Sequence, residues 1–464
     1  MTNKEFAARR KRLFKAMGPN SIAVLPAAPE YIRNRDVDHA YRPDSDFFYL
    51  SAFPEPDAVI VLIPGRAQGQ YILFCRERDP DMETWNGRRA GLEGAVEQYG
   101  ADDAFPIADI DDILPSMMEN RERVFYAMGA HDKLDKKMID WLKLVRKKTR
   151  TGIQAPTEFV GLDNLLHEMR LIKSRAEIAL MRKAAQISAA AHVRAMQHCR
   201  PGVSEFEVEA EIVHEFMKNG CRHAAYPSIV GGGENGCILH YTENSDDLNA
   251  GDLLLIDAGA EYQSYAADIT RTFPVNGQFS EAQKALYQVV LDAQKAAIAK
   301  VKPGNHWNQA HDAAVRVLTR GLLKLGIIKG ELASLIKEHA YRRFYMHRTG
   351  HWLGMDVHDV GEYKVDGKWR SLEPGMALTI EPGLYIPKGS KGVAKKWWNI
   401  GIRIEDDLVV TADGCEVLTH GVPKEVAEIE ALMSGQPLLK PKARPKAKVK
   451  AASKKTAIPK RKKT

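Results

Sequence analysis

Four acidic residues stand where apolar strands are expected. LLLIDAG closes an apolar run on Asp257, and YAADITRTF places Asp268 eleven residues further on, in the expected return strand. ALTIEPGLY closes another run on Glu381, and IGIRIEDDLVV holds Glu405 in a strand flanked by Ile402, Ile404, Leu408 and Val409. A buried, unpaired carboxylate is strongly unfavourable, or its pKa shifts until it is neutral. One such acid can be satisfied by an arginine or a turn; four call for a shared positive partner. The segment MHRTGHWLGMDVHDVG adds His347, His351 and His358. Carboxylate oxygen with an imidazole suits a divalent cation such as Mn²⁺, Co²⁺, Zn²⁺ or Fe²⁺. Four carboxylates carry four negative charges, which two divalent cations balance, so two metals are favoured over one.

Each residue alone has an ordinary explanation. Asp257 before Ala-Gly reads as a turn acid, and Asp268 as a partner for Arg271. Glu381 before Pro-Gly reads as a loop acid, Glu405 as an edge-strand acid beside Asp406 and Asp407, and His351 beside Trp352 as a packed histidine. As an ordered set they point to a metal site. The glycines Gly231 to Gly233 lack the Lys-Ser/Thr of a phosphate loop, so nucleotide binding is not expected. His306, His311 and His339 have no acidic partners in sequence and read as surface or core histidines.

The order His240-Tyr241, Asp257-Ala258-Gly259, Asp268 to Thr272, His347 to His358, Glu381-Pro382-Gly383 and Arg403 to Asp406 resembles the pita-bread metallopeptidases. The segments GGGENGCILHYTEN, HWLGMDVHDVG and EPGLY narrow the resemblance to the aminopeptidase P family. AYRPDSDFFYLSAFPEPDAVIVLI and WNGRR resemble that family's N-terminal domain. The resemblance implies a dinuclear hydrolase that releases the N-terminal residue from peptides with proline in second position. The alternative is an Xaa-Pro dipeptidase of the same fold. It further implies Asp257, Asp268, His351, Glu381 and Glu405 as ligands of two divalent ions, Mn²⁺ foremost, with Asp268 and Glu405 bridging. His240, His358 and Arg403 are implied as catalytic groups, with His347, Tyr385 and Trp85 bordering the substrate. Trp85 is expected to act from the N-terminal domain or from a neighbouring subunit, and a homodimer or homotetramer is expected. One residue departs from the family pattern: Arg348 stands where glycine often follows the histidine, which bears on the site rim and on substrate preference.

Other readings of the same chain are weaker. A methionine aminopeptidase does not need so large an N-terminal region. A catalytically dead binding domain would have lost ligands, and all five are present.

The elements that must position these residues divide near residue 165. Over 1–165, strands at Ser21–Leu25, Ala58–Ile63, Tyr71–Phe74 and Val124–Tyr126 alternate with helical patterns such as Leu134–Val145, an α/β arrangement. Over 166–436, capping boxes at Ser174/Glu177, Ser204/Glu207 and Ser280/Gln283 open helices. Strands are expected at Asp252–Asp257, Met376–Ile380 and Gly401–Val410. Together they predict an N-terminal α/β domain followed by a mixed helix-and-sheet catalytic domain, α/β (α+β) in class.

Residues 437–464 are rich in Lys, Pro and Ala and read as a disordered tail. Removing the 12 Lys/Arg from Lys440 onward, which come with no acid, takes the formal charge from +7 to −5. A nucleic-acid partner is therefore not indicated for the body, and contact through the tail has no support in the sequence. The five cysteines are scattered without a C-x-x-C pair, which argues against a disulfide framework or a thiolate zinc site and for a cytoplasmic setting. The longest apolar run falls well short of the ~20 residues that cross a bilayer, and no membrane partner is expected. The opening segment MTNKEFAARRKRLFKAMG reads as an amphipathic helix.

Overall fold

The computed structural model describes residues 1–435; the basic tail lies outside the described residues. The N-terminal region is built on a six-stranded sheet. Its strands are β1 (Ser21–Pro26), β2 (Val59–Leu62), β3 (Tyr71–Cys75), β4 (Asp103–Pro106), β5 (Arg123–Phe125) and β6 (Glu158–Val160), in the order β4-β3-β2-β1-β5-β6. β1 runs antiparallel to β2 and parallel to β5. β4 and β6 are short edge strands with little apolar patterning, which is why only the four inner strands were legible.

The sheet is covered on both faces, so its inner strands are apolar at nearly every position rather than alternately, Ser21 and Arg123 at strand starts excepted. Ile22, Val24, Val61, Ile72 and Phe74 face one way, against Leu134, Met138 and Trp141 of the helix Asp132–Lys147. Ala23, Leu25, Ile60 and Leu73 face the other, against Leu13 and Met17 of the helix Asn3–Met17. That second core continues into Met181, Tyr265 and Leu353 of the catalytic region, so one apolar layer joins the two halves.

In the catalytic region the expected helices form where their caps stand. Ser174 and Glu177 exchange side-chain and backbone hydrogen bonds at the head of the helix Arg175–His198. Ser280 and Gln283 do the same for Glu281–Ile298. At Glu205–Lys218 only Glu207 caps back onto the Ser204 N–H, while the Ser204 hydroxyl donates to Asp247. The apolar faces of these helices close over three small antiparallel sheets. The first comprises β7 (Ile229–Gly232), β8 (Leu253–Asp257) and β9 (Thr270–Pro274), with β8 in the middle. The second pairs β11 (Gly383–Ile386) with β12 (Ile400–Arg403), and the third holds β10 (Ala377–Ile380), β13 (Asp406–Val410) and β14 (Cys415–Val417). The shared core includes Ile212 and Phe216 from one helix, Leu254 and Ile256 from β8, and Leu286 and Val290 from another helix.

An ion network ties the N-terminal region to the loop that carries His358. Arg170, 3% exposed, donates to Asp46 at 2.8 Å, Asp356 at 2.7 Å and Asp359 at 2.6 Å. Lys173 donates to the other oxygen of Asp359 at 2.8 Å, and Ser45 donates to Asp356 at 2.5 Å. Burial alone would raise the pKa of Asp359; Lys173 and Arg170 outweigh it and hold it below the usual carboxylate range. A depressed folded-state pKa contributes stability that is present above the unfolded value, ~3.9, and is lost as pH falls through the folded value. Asp359→Asn should therefore destabilise the protein by ~3–5 kcal/mol near neutral pH, because it leaves buried Lys173 without its carboxylate and takes one of three from Arg170. Urea unfolding checks this: the deficit against wild type should hold from pH 8 to pH 5 and shrink only in the acid range below.

Candidate active site

The acids reach one place because the strands that carry them stop there. The last ladder pair of β8 and β9 is Asp257 with Thr270, and the chain between folds back so that the Ala258 N–H donates to Ile269 at 3.0 Å. Gly259 makes that turn possible: a Cβ there would lie 1.7 Å from the Ala267 carbonyl oxygen. Any side chain would force Asp257 and Asp268 apart.

Glu381 and Glu405 share a second interruption. The ladder runs to Ile380 opposite Asp406 and resumes at Gly383 opposite Arg403. Glu381 and Pro382 fall in the gap on one strand, Ile404 and Glu405 on the other. Pro382 has no N–H to give to a ladder. The continuous strand expected over Gly401–Val410 is thus two strands. The break frees the Glu405 N–H, which donates to Thr270 at 3.0 Å and joins this sheet to the first. His351 runs alongside: its N–H donates to the Thr379 hydroxyl at 3.2 Å, and a Cβ on Gly350 would lie 2.1 Å from the Thr379 carbonyl oxygen.

The five side chains line one cavity of about 740 Å³. Within it, ligand atoms of Asp268, His351 and Glu405 all lie within 4.8 Å of one another. His351 Nδ1 donates to the Trp352 carbonyl oxygen at 2.9 Å, so its Nε2 is the nitrogen left facing Asp268 at 3.3 Å and Glu381 at 3.8 Å. Fixing the tautomer through a backbone carbonyl is what a metal-ligating imidazole requires. Burial and neighbouring carboxylates push Glu381 up to about 7 and Glu405 well above its ordinary value. Burial also raises Asp257, against the pull of Arg403. Burial opposes protonation of His351, yet Asp268 and Glu381 raise it to about 9. So concentrated a negative charge is stabilised by cations, and the donor set fits divalent ions with oxygen and imidazole ligands.

Arg271 does not pair with Asp268. It is fully buried and bonds Asp406 at 2.7 Å, and Asp406 also receives Gln294 and Lys424. The residue after Glu405 is thus a structural acid with its own cations, which leaves Glu405 free for the cavity.

A proton-ordered chain borders the same cavity. His347 Nδ1 lies 2.7 Å from the Arg348 carbonyl oxygen and must donate to it, so Nε2 accepts from the Tyr385 hydroxyl at 2.9 Å. Tyr385 in turn accepts from Arg403 at 2.9 Å. Arg403 also donates to Asp257 at 2.7 Å and to Thr270 at 3.0 Å. Burial, then Arg403, push His347 down to about 3, so it is neutral. His358 packs edge-on against His351 with ring centroids 4.3 Å apart. It and His240 are exposed on the wall shared with a second cavity of about 710 Å³.

Three comparisons bear on this arrangement. Residues 179–412 match the model of metallopeptidase family M24, and residues 6–126 match that of the aminopeptidase P N-terminal domain. The chain belongs to metallopeptidase family M24. Among M24 relatives, Xaa-Pro aminopeptidase of Escherichia coli (strain K12) is 46% identical over 434 residues, 93% of this chain and 98% of the relative. An aminopeptidase of Pseudomonas aeruginosa superposes with a TM-score of 0.93 at 61% identity, covering 94% of this chain and 98% of that one. A variant of Escherichia coli aminopeptidase P solved with substrate superposes at 0.91 and 46% identity, covering 94% of this chain and 99% of that one. The two matched regions carry the expected fold class, an N-terminal aminopeptidase-P-type domain followed by the M24 metallopeptidase domain.

Of the expected site residues, ten meet in this M24 cavity or border it. Trp85 does not: it sits on the helix Pro80–Asn86, is 84% exposed and lines neither cavity. Two residues escaped sequence reading. The Tyr226 hydroxyl lies 2.6 Å from Asp257 and 2.5 Å from Asp268, and a single hydroxyl proton serves only one of them. Asp407 accepts the Asp268 N–H at 3.0 Å and fixes that backbone. Neither carries a spacing signal, because each acts through a contact distant in sequence.

Proposed function

We propose that this chain is a dinuclear Xaa-Pro aminopeptidase. The observation that carries the reading is the convergence of four carboxylates, two buried and two half-buried, and a tautomer-fixed histidine on one cavity, in a chain similar over nearly its whole length to an Xaa-Pro aminopeptidase. In this reading Asp257, Asp268, His351, Glu381 and Glu405 hold two divalent ions, Mn²⁺ foremost, with Asp268 and Glu405 shared between them. Bound there, such ions supply Lewis acidity toward the scissile carbonyl and toward an attacking water.

The protein's own groups do the rest. Asp257 and Asp268 face the second cavity too, so that lobe takes the N-terminal residue and its amine. His347, Tyr385 and Arg403 border the slot for proline. Proline has no amide hydrogen and a fixed φ near −65°, so its slot needs no acceptor for that group. His358, neutral because burial and His351 lower its pKa, donates a hydrogen bond to the developing oxyanion. The cavity runs on past the slot to Trp369, which favours substrates longer than a dipeptide. Domain limits of 1–165 and 166–436, a homo-oligomer in which Trp85 serves a neighbour, and a cytoplasmic setting complete the proposal. The five cysteines form no disulfide among the described residues, which supports that setting, and among the described residues no helix is long and apolar enough to cross a membrane.

The test is kcat/KM for Xaa-Pro, Xaa-Pro-Ala and an Xaa-Pro pentapeptide, with Xaa-Ala-Ala as control. The tripeptide and pentapeptide should be cleaved at least as well as the dipeptide, and the control far more slowly. Cleavage of the dipeptide alone would make this a dipeptidase. Equal cleavage of the control would remove the proline slot.

A further inference from the structure

Beyond the proline slot the cavity ends in two cations that no acid among the described residues neutralises. Arg348 follows His347 directly, and its guanidinium lies 5.2 Å from the centre of the Trp369 ring. Lys364 Nζ approaches the same ring at 4.5 Å. Lys364 and Trp369 sit on facing strands of a small hairpin and are direct partners across it. All three line the same cavity as His347 and Glu381. Both cations are exposed, and among the described residues neither has a carboxylate within ion-pair distance. The neighbouring Arg370, by contrast, is tied to Glu168 at 2.7 Å. Arg348 donates to the Asn308 amide oxygen, and both charges rest against the Trp369 ring, so both are held at the rim of the cavity.

We propose that Arg348 and Lys364 form a carboxylate-binding subsite for the part of the peptide that follows proline. This rests on the Xaa-Pro reading, which places proline beside His347. A chain leaving that slot passes Arg348 next, because the two residues are consecutive. The ligand is a carboxylate: the free C-terminus of a short peptide, or an acidic side chain in a longer one. A guanidinium offers paired donors to a carboxylate, an ammonium offers a point charge, and together they accept either source. The indole between them gives the adjoining backbone an apolar wall.

The experiment compares four substrates on the metal-loaded enzyme: Xaa-Pro-Ala, Xaa-Pro-Ala-amide, Xaa-Pro-Glu-amide and Xaa-Pro-Lys-amide. The enzymes are wild type, Arg348→Gly with Lys364→Ala, and the single variant Arg348→Lys. In wild type, kcat/KM for the free acid should exceed that for its amide by roughly threefold to tenfold, the scale of two exposed ion pairs. The preference should reside in KM and weaken with salt. Preference for the free acid assigns the C-terminus, and preference for Glu over Lys assigns a side chain. Both ratios should fall to about one in the double variant and survive in Arg348→Lys. Equal acid and amide rates together with equal Glu and Lys rates in wild type would overturn the proposal, as would ratios unaltered in the double variant. Failure of the Xaa-Pro reading shows separately, as cleavage of Xaa-Ala-Ala at the rate of Xaa-Pro-Ala with the acid preference intact.

Discussion

Asp268→Ala should abolish peptide turnover and remove more metal than Glu381→Ala does. Asp268 stands at the centre of the acid cluster: its side chain faces His351 at 3.3 Å and the Tyr226 hydroxyl at 2.5 Å. Its backbone N–H is fixed by Asp407 at 3.0 Å. In the proposed dinuclear reading Asp268 would support two coordination spheres, whereas Glu381 would support one. The loss should therefore exceed the ~10²–10³ that removing a single transition-state hydrogen-bond donor produces. Elemental analysis of the purified variants, beside kcat/KM, checks this. Full occupancy by two metals in Asp268→Ala would remove Asp268 from the ligand set. A circular dichroism spectrum matching wild type would show that the fold survives, since Asp268 contributes one side chain to a sheet otherwise closed by β8 and β9.

His358→Ala should lower kcat by ~10²–10³ with metal content unchanged. The argument is positional. His358 lies on the wall common to both cavities, where a peptide bond spanning them would be cut. Its ring is held against His351, and the loop that bears it is clamped through Asp356 and Asp359 by Arg170 and Lys173. Because its pKa is lowered, it keeps one N–H to donate at neutral pH without carrying charge into a site already rich in ions. Loss of metal in this variant would make it a ligand or a scaffold residue.

How far the site was legible follows from what each residue does. Asp257, Asp268, Glu381 and Glu405 betray themselves because a charge at the end of an apolar run is a local contradiction, visible without neighbours. The resemblance then ordered them. The Arg271 reading failed for a physical reason: residues three apart on β9 and its approach have no need to meet when a distant Asp406 offers a better buried partner. The strand over Gly401–Val410 looked continuous because Ile402, Ile404, Leu408 and Val409 are all apolar. Only Pro382, on the facing segment of the same chain, shows where the ladder must break. Trp85 carries a family pattern, yet it is 84% exposed and lines neither cavity.

Local chemistry determined the helix starts at Ser174 and Ser280, the apolar inner strands of the N-terminal sheet and the identity of the acids. Each depends on interactions within a few residues or on burial that hydrophobicity alone reports. Tertiary structure decided the rest. It brought Tyr226 to Asp257 and Asp268, turned His347 Nε2 toward Tyr385 and Arg403, left Arg348 and Lys364 unneutralised around Trp369, and locked the His358 loop to Arg170 and Asp46. These contacts join residues tens to hundreds of positions apart, and their hydrogen-bond and ion-pair energies are set by distance, direction and burial. Such quantities exist only once the chain has folded, so no spacing in the sequence encodes them.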